Sequence, residues 1–254
     1  MKAITAFAAL ACLVSLPAIA AGDAKPKVIA FNASVKVEVD AAGKPVKVEA
    51  PADLPEVVRS YIEKRVASWQ YLPAREGGVP APATTYVNIG ACAIPAGVGN
   101  QYQFGLDFKG NGPQVANKYN RLMPTADLAA AVGKSGFTGT FEVTLSAQPD
   151  GEAKPISITR KAGPPRGVKD VEQALRKWVV RDIRFEPERV AGKAVATQVR
   201  FDVQFSSDSA PSARELQQRA LNRSECKLAS GDANPGLEAI ALDSPVKVTA
   251  IPAS

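Results

Sequence analysis

The feature that most constrains this chain is a pattern that runs through it twice: a strand pair around a tight turn, an amphipathic helix, an aromatic followed two residues later by proline, and a closing strand. In the first copy Val35, Val37 and Val39 alternate with Lys36 and Glu38, Asp40 to Gly43 supply the turn, and Val46, Val48 and Ala50 return. A period of two predicts half-buried strands, and Gly43 suits the left-handed position of a hairpin. In the second copy Phe141, Val143 and Leu145 form the first strand, Asp150-Gly151 the turn, and Ile156 and Ile158 the return.

A helix follows each hairpin. Val57, Val58, Tyr61, Ile62, Val66 and Trp69 recur at spacings of three and four after Pro55, with Asp53 as a candidate cap. Val168, Val171, Leu175, Trp178, Val179 and Ile183 repeat the period in the second copy. Each helix ends at Tyr71-Leu72-Pro73 or Phe185-Glu186-Pro187, because proline cannot continue a helix and pushes its predecessor to extended geometry. Short loops with Gly77-Gly78 or Gly192 then lead to closing strands at 84–89 and 195–205. The predicted fold class is α+β: two tandem β-β-α-β modules, each a three-stranded antiparallel sheet packed on one helix.

Residues 1–20 have the form of a signal peptide: Lys2, an apolar run from Ala3 to Leu16, and Ala18-Ile19-Ala20 before the cleavage site. The run falls short of the roughly 20 residues that span a bilayer, so a periplasmic location with no transmembrane span after processing is expected. Cys12 leaves with the leader, and Cys92 and Cys226 remain in an oxidising compartment. A Cys92 to Cys226 disulfide is expected on that ground, the alternative being two buried thiols. The boundaries follow: first module 27–92, connecting segment 93–122, second module 123–206, and a helix and tail over 207–254. Within the connecting segment Tyr102, Phe104, Leu106 and Phe108 alternate like an added strand, either core or an exposed aromatic stripe. A short helix at 127–132, a helix at 213–226 and a last strand near Val246 and Val248 complete the reading.

Several function classes are excluded by composition. The chain has no histidine, which removes Ser-His-Asp and Cys-His nucleophilic sites and histidine-bearing zinc sites. Composition does not exclude a carboxylate-pair enzyme or a wall-binding protein in the same way, and that stays as an alternative, but Asp40, Asp53, Asp150 and Asp170 are placed as turn or cap residues. The net charge of +6 is spread along the chain without the clustered basic and aromatic residues that nucleic acids require. No catalytic residue, metal site or cofactor is expected.

The second copy resembles the C-terminal domain of TonB energy transducers, through Pro124, the Ala-rich segment 127–132, Gly139 before Phe141, Asp150-Gly151, Phe185, Pro187 and the strand at 195–205. The likeness spans about 123–205; the first copy follows it more loosely over 32–89, through Gly43, Trp69, Tyr71 and Pro73. The resemblance implies a non-catalytic periplasmic module that binds segments of envelope or outer-membrane transporter proteins by β-strand addition. Its candidate edge is the strand carrying Thr197, Val199, Phe201 and Val203. The alternative is a structural envelope protein whose modules pair with each other or dimerise. Without a long Pro-rich spacer or a retained anchor, the energy-coupling role is not expected to carry over.

Overall fold

The computed structural model describes residues 28–96, 102–117, 122, 124–205, 212–229 and 242–252. The leader expected at 1–20 lies outside them.

The first hairpin forms where alternation and turn chemistry coincide. β1 (Ile29–Val39) and β2 (Pro45–Glu49) pair antiparallel, and the Asp40 carboxylate accepts from the amides of Ala42 and Lys44, each at 2.9 Å. Next, α1 (Glu56–Ala67) buries Ile62 and Val66. Its N-cap is Pro55 with no side-chain cap, so Asp53 does not take the expected capping role. Val57 is 73 % exposed, because it stands five residues before Ile62, about 140° around a helix of 3.6 residues per turn. Past the helix, β3 (Gln70–Leu72) carries Tyr71, and the expected loop is a small hairpin of β4 (Ala74–Glu76) and β5 (Val79–Ala81). The closing strand, β6 (Ala83–Pro95), runs well beyond its expected end.

The connecting segment supplies β7 (Tyr102–Gly112) and β8 (Gln114–Val115), and α2 (Ala126–Ser135) follows with the Thr125 side chain at its N-cap. After α2 come β9 (Gly139–Ala147), β10 (Ala153–Ala162), α3 (Val168–Asp182), β11 (Phe185–Glu186), β12 (Arg189–Val190), β13 (Lys193–Ala194) and β14 (Thr197–Phe205). The helix expected at 213–226 is two, α4 (Ala213–Leu221) and α5 (Ser224–Ala229), and β15 (Lys247–Ala250) closes the chain.

The fold is therefore mixed α+β, mostly strands in several antiparallel sheets with five helices among the described residues. In the first sheet the order is β2-β1-β6, and the far edge of β6 takes β12 at Ala83 and Thr84 and β7 from Tyr86 to Pro95. With β13 beyond β12, it has six strands where three were expected. The physical reason is the unpaired main chain a three-stranded sheet would leave along so long a closing strand, which the connecting segment and a hairpin of the second copy satisfy. The second sheet keeps three strands, in the order β10-β9-β14. The short strands after each helix acquire partners from elsewhere: β15 on β3, and β8 on β11.

Two cores result. Val35, Val37, Ile62, Val66 and Trp69 fill the first, joined by Phe108, whose ring meets Trp69 edge-on at 5.8 Å; the alternating segment at 102–108 is thus part of a packed sheet. Phe141, Val143, Leu145, Val171, Leu175 and Trp178 fill the second. Ile156 is 51 % exposed, since the β9 to β10 register shifts between Pro155 and Ser157 and turns it from the core.

On the other face of the first sheet, α5 is held by the Cys92–Cys226 disulfide, with an S–S distance of 2.05 Å. The seat is made by glycine: a Cβ on Gly90 would stand 2.7 Å from the Glu225 carboxylate, and one on Gly105 would overlap the α5 backbone. No described helix is long and apolar enough to cross a membrane.

Candidate interaction edge and the buried network behind it

Successive residues of a strand present their N–H and C=O groups to opposite edges, so one contact fixes the parity of the rest. At the start of β14, the Gln198 amide donates to Asp243 Oδ1 at 2.5 Å and its carbonyl accepts from the Leu242 amide at 3.2 Å. Gln198 therefore faces away from β9. The β14 to β9 register is unbroken from Thr197 to Phe205, which turns Arg200, Asp202 and Gln204 the same way. Among the described residues no strand pairs with that edge.

The four residues singled out from the sequence all lie on this strand. Thr197, Val199, Phe201 and Val203 direct their main chain toward β9; the side chains of Val199, Phe201 and Val203 face the second core, and that of Thr197 reaches the buried Glu188. Thr197 is 1 % exposed and Val203 8 %, and Phe201 meets Trp178 edge-on at 6.3 Å. The groups able to receive another strand belong to Arg200, Asp202 and Gln204, which sequence reasoning passed over. The signal was present in the alternation, since the polar positions of a one-sided strand share a parity, but which parity faces outward depends on where β9 sits.

The solvent face of the strand is charged. Asp202 stands directly across from Glu142 on β9, and Lys161 bridges them, 3.1 Å from Asp202 and 3.5 Å from Glu142. Arg200 lies beside Glu142 at 3.9 Å, with its side chain 49 % exposed.

Behind the beginning of the strand is a polar cluster that ties both copies and the tail together. Glu188, 0 % exposed, receives the hydroxyls of Thr85 at 2.5 Å, Ser244 at 2.7 Å and Thr197 at 2.8 Å. The Asn111 side-chain amide donates to Ser244 Oγ at 2.8 Å and to the Val246 carbonyl at 2.7 Å. Among the described residues no cation pairs with this carboxyl: burial pushes its pKa above the usual range, the three hydroxyls pull against that, and the charge of Asp243 adds to it. A buried Glu188 holding three chain segments is structural chemistry, and its position fixes the start of β14 beside Leu242 and Asp243.

A second cluster lies at α5, where Lys109 meets Asp107 at 2.7 Å and Glu225 at 3.2 Å, and Arg223 pairs with Glu225. Burial weighs against the Lys109 charge, but its hydrogen bond to Asp107 and the field of Glu225 keep its pKa raised. Each charge there has a partner, which reads as the seat of the helix. A groove of about 370 Å³ between α2 and α3 is floored by Leu128, Ala174 and Trp178 and rimmed by Asp127, Asp170, Lys177 and Arg181. Its rim carries both signs, and Arg181 is already paired with Asp127 at 2.9 Å. Among the described residues no group of three metal-ligating side chains converges.

No family model matches the chain, and neither the curated proteins nor the solved structures contain a match to it.

Proposed function

We propose that this protein is a non-catalytic periplasmic interaction module that receives an extended segment of an envelope or outer-membrane protein on the outer edge of β14. The observation that carries this reading is the row of outward main-chain groups on Arg200, Asp202 and Gln204, beside a strand whose start is already capped by Leu242 and Asp243. In the same chain the corresponding edge of β6 is filled by β7, so the fold itself uses antiparallel strand addition at this position. Main-chain hydrogen bonding supplies affinity in such a contact, and the side chains beside it set register.

The finer architecture belongs to the same reading. Two tandem β-β-α-β units, each elaborated by a short strand and hairpin after its helix, account for the element order, and the resemblance to TonB C-terminal domains supplies the partner class. The leader at 1–20 and the Cys92 to Cys226 disulfide support an oxidising, exported location.

The test is hydrogen exchange on the mature chain with and without a partner captured from envelope extract. Amides of Arg200, Asp202 and Gln204 are expected to slow on binding, while those of Val199, Phe201 and Val203, already bonded to β9, stay unchanged. An Asp202→Pro variant removes one outward donor and should lose capture while keeping its circular dichroism. Capture that leaves all three outward amides exchanging as before places the interaction elsewhere.

A further inference from the structure

We propose that the first occupant of this edge is a second copy of the same chain, paired β14 to β14 in antiparallel fashion about a two-fold axis at Phe201. The proposal rests on the reading of β14 as a strand-accepting edge and names its partner.

Charge selects the register. Placing Phe201 opposite the second copy's Phe201 puts Arg200 opposite the second copy's Asp202, and by symmetry Asp202 opposite its Arg200. An isologous contact repeats every favourable pair, so one exposed arginine and one exposed aspartate two residues apart yield two matched ion pairs. The registers centred one residue to either side place Asp202 against Asp202 or Arg200 against Arg200. Centring on Val203 sets Asp202 against Gln204 and leaves Arg200 without its acid.

Parity agrees with that choice. Arg200 and Asp202 point their main-chain groups outward, so the matched residues form the hydrogen-bonded pairs and Phe201 the close, non-bonded pair, where side chains approach most nearly. Phe201 and Val199 are half-buried against the second core, and a second Phe201 would cover the side that one sheet edge leaves open. The ladder ends where Gln204 meets Gln198, whose groups are held by Leu242 and Asp243. It is short, and its length keeps the edge exchangeable with a foreign strand.

Lys161 and Arg200 already face the Asp202 and Glu142 carboxylates within one copy, and Asp202 keeps its side chain 49 % exposed. Asp202 and Glu142 are directly opposed carboxylates with Lys161 between them. Arg200 of a second copy would arrive on the open side of Asp202, opposite Lys161, and relieve the pair further.

Sedimentation of the mature chain with charge-swap variants tests this. The native protein is expected to dimerise reversibly. Arg200→Glu alone and Asp202→Arg alone each replace two attractive pairs by two repulsive ones and should weaken the dimer by about tenfold or more. The double variant Arg200→Glu with Asp202→Arg restores opposite charges in this register only, and should recover the dimer. Circular dichroism and melting of all three variants identify any that lose the fold, and Lys44→Glu, in the exposed turn between β1 and β2, serves as a folded charge control with an unchanged dimer. A native chain that stays monomeric to about 1 mM, the weak limit of specific association, overturns the dimer. So does a folded double variant no tighter than the single ones. If the dimer fails while the three outward amides are protected by an envelope partner, the strand-accepting edge stands and only its occupant changes; if both fail, the edge itself is wrong.

Discussion

Gly43 lies directly against the backbone carbonyl of Tyr71, so close that a Cβ at position 43 would overlap that oxygen. The turn between β1 and β2 thus packs on β3, the short strand after α1, and Gly151 stands in the same relation to β11, with the Phe185 carbonyl at 2.6 Å from its would-be Cβ. The Phe185 amide closes the second contact by donating to the Gly151 carbonyl at 2.8 Å. At both places a turn glycine therefore packs on the carbonyl of an aromatic in the short strand that follows a helix.

Both glycines also hold positive φ, +81° at Gly43 and +84° at Gly151. Gly43→Ala and Gly151→Ala should each destabilise the protein by more than about 2 kcal/mol, combining left-handed strain with the carbonyl overlap. Gly192, at φ +78° with open space around it, carries the strain alone, and Gly192→Ala should cost about 1 to 2 kcal/mol. Urea unfolding of the three variants orders these effects; equal losses at all three positions would deny the packing contact any role.

Glu188 makes stability depend on pH in a direction opposite to an ordinary ion-paired carboxylate. Its folded pKa lies above the value of 4.5 that the group has when free. Its contribution is therefore fully present below that value and is lost as pH rises through the raised folded pKa, where the buried group must ionise or the cluster open. Glu188→Gln keeps hydrogen bonding without a titratable proton. Melting temperature against pH should fall for the native chain across that window and be flatter for the variant; parallel curves would mean that Glu188 does not titrate there.

The Cys92–Cys226 disulfide closes a loop of 134 residues. On the chain-entropy account, replacing both cysteines by alanine should cost about 4 to 5 kcal/mol, measured by denaturant unfolding under non-reducing conditions. A loss well below 1 kcal/mol would mean that the unfolded chain is hardly constrained by the link.

Shielding of the same bond depends on the glycine seat of α5. Cys92 and Cys226 are each 1 % exposed, and a side chain on Gly105 would push into the α5 backbone. Gly105→Ala should therefore speed reduction of the disulfide by a soluble thiol, followed by alkylation and mass spectrometry. Gly133, in α2 with open space around it, gives the control: Gly133→Ala should leave the reduction rate as it was.

Main-chain parity on β14 yields the sharpest contrast between neighbours. Proline at Val199 removes a donor that faces β9 and leaves a paired acceptor orphaned, a loss of roughly 1 to 3 kcal/mol. Proline at Asp202 removes a donor that faces outward and should be tolerated. Thermal melts of the two variants decide it, and an equal loss in both would show the edge to be engaged already.

Much of this was legible in the residues themselves. Local geometry, which depends only on near neighbours, is written in the chain: the alternation of Val35, Val37 and Val39, the Asp-Gly turn at Asp150 and Gly151, the apolar period of Val171, Leu175 and Trp178 in α3; the helices themselves stop earlier than expected, at Ala67 and Asp182. Burial follows from such patterns only where an element is regular. Ile156 escaped because a register shift in the strand turns it outward, and Val57 because the first turn of α1 begins off its apolar face.

What the sequence by itself determined is the two hairpins with their turns and the amphipathic helices α1 and α3 that follow them; it also led to the expectation of the link that Cys92 and Cys226 form. The tertiary structure alone decided which edges are filled: that β7 and the β12 to β13 hairpin complete β6, that β15 and β8 pair with the strands after each helix, and that Arg200, Asp202 and Gln204 turn outward on β14. Periodicity reports which face of a strand is apolar, because side chains carry it. Edge pairing is made by backbone groups identical in every residue but proline, so no composition or spacing encodes it; it depends on which segments from afar in the chain reach the edge first and how their backbones fit.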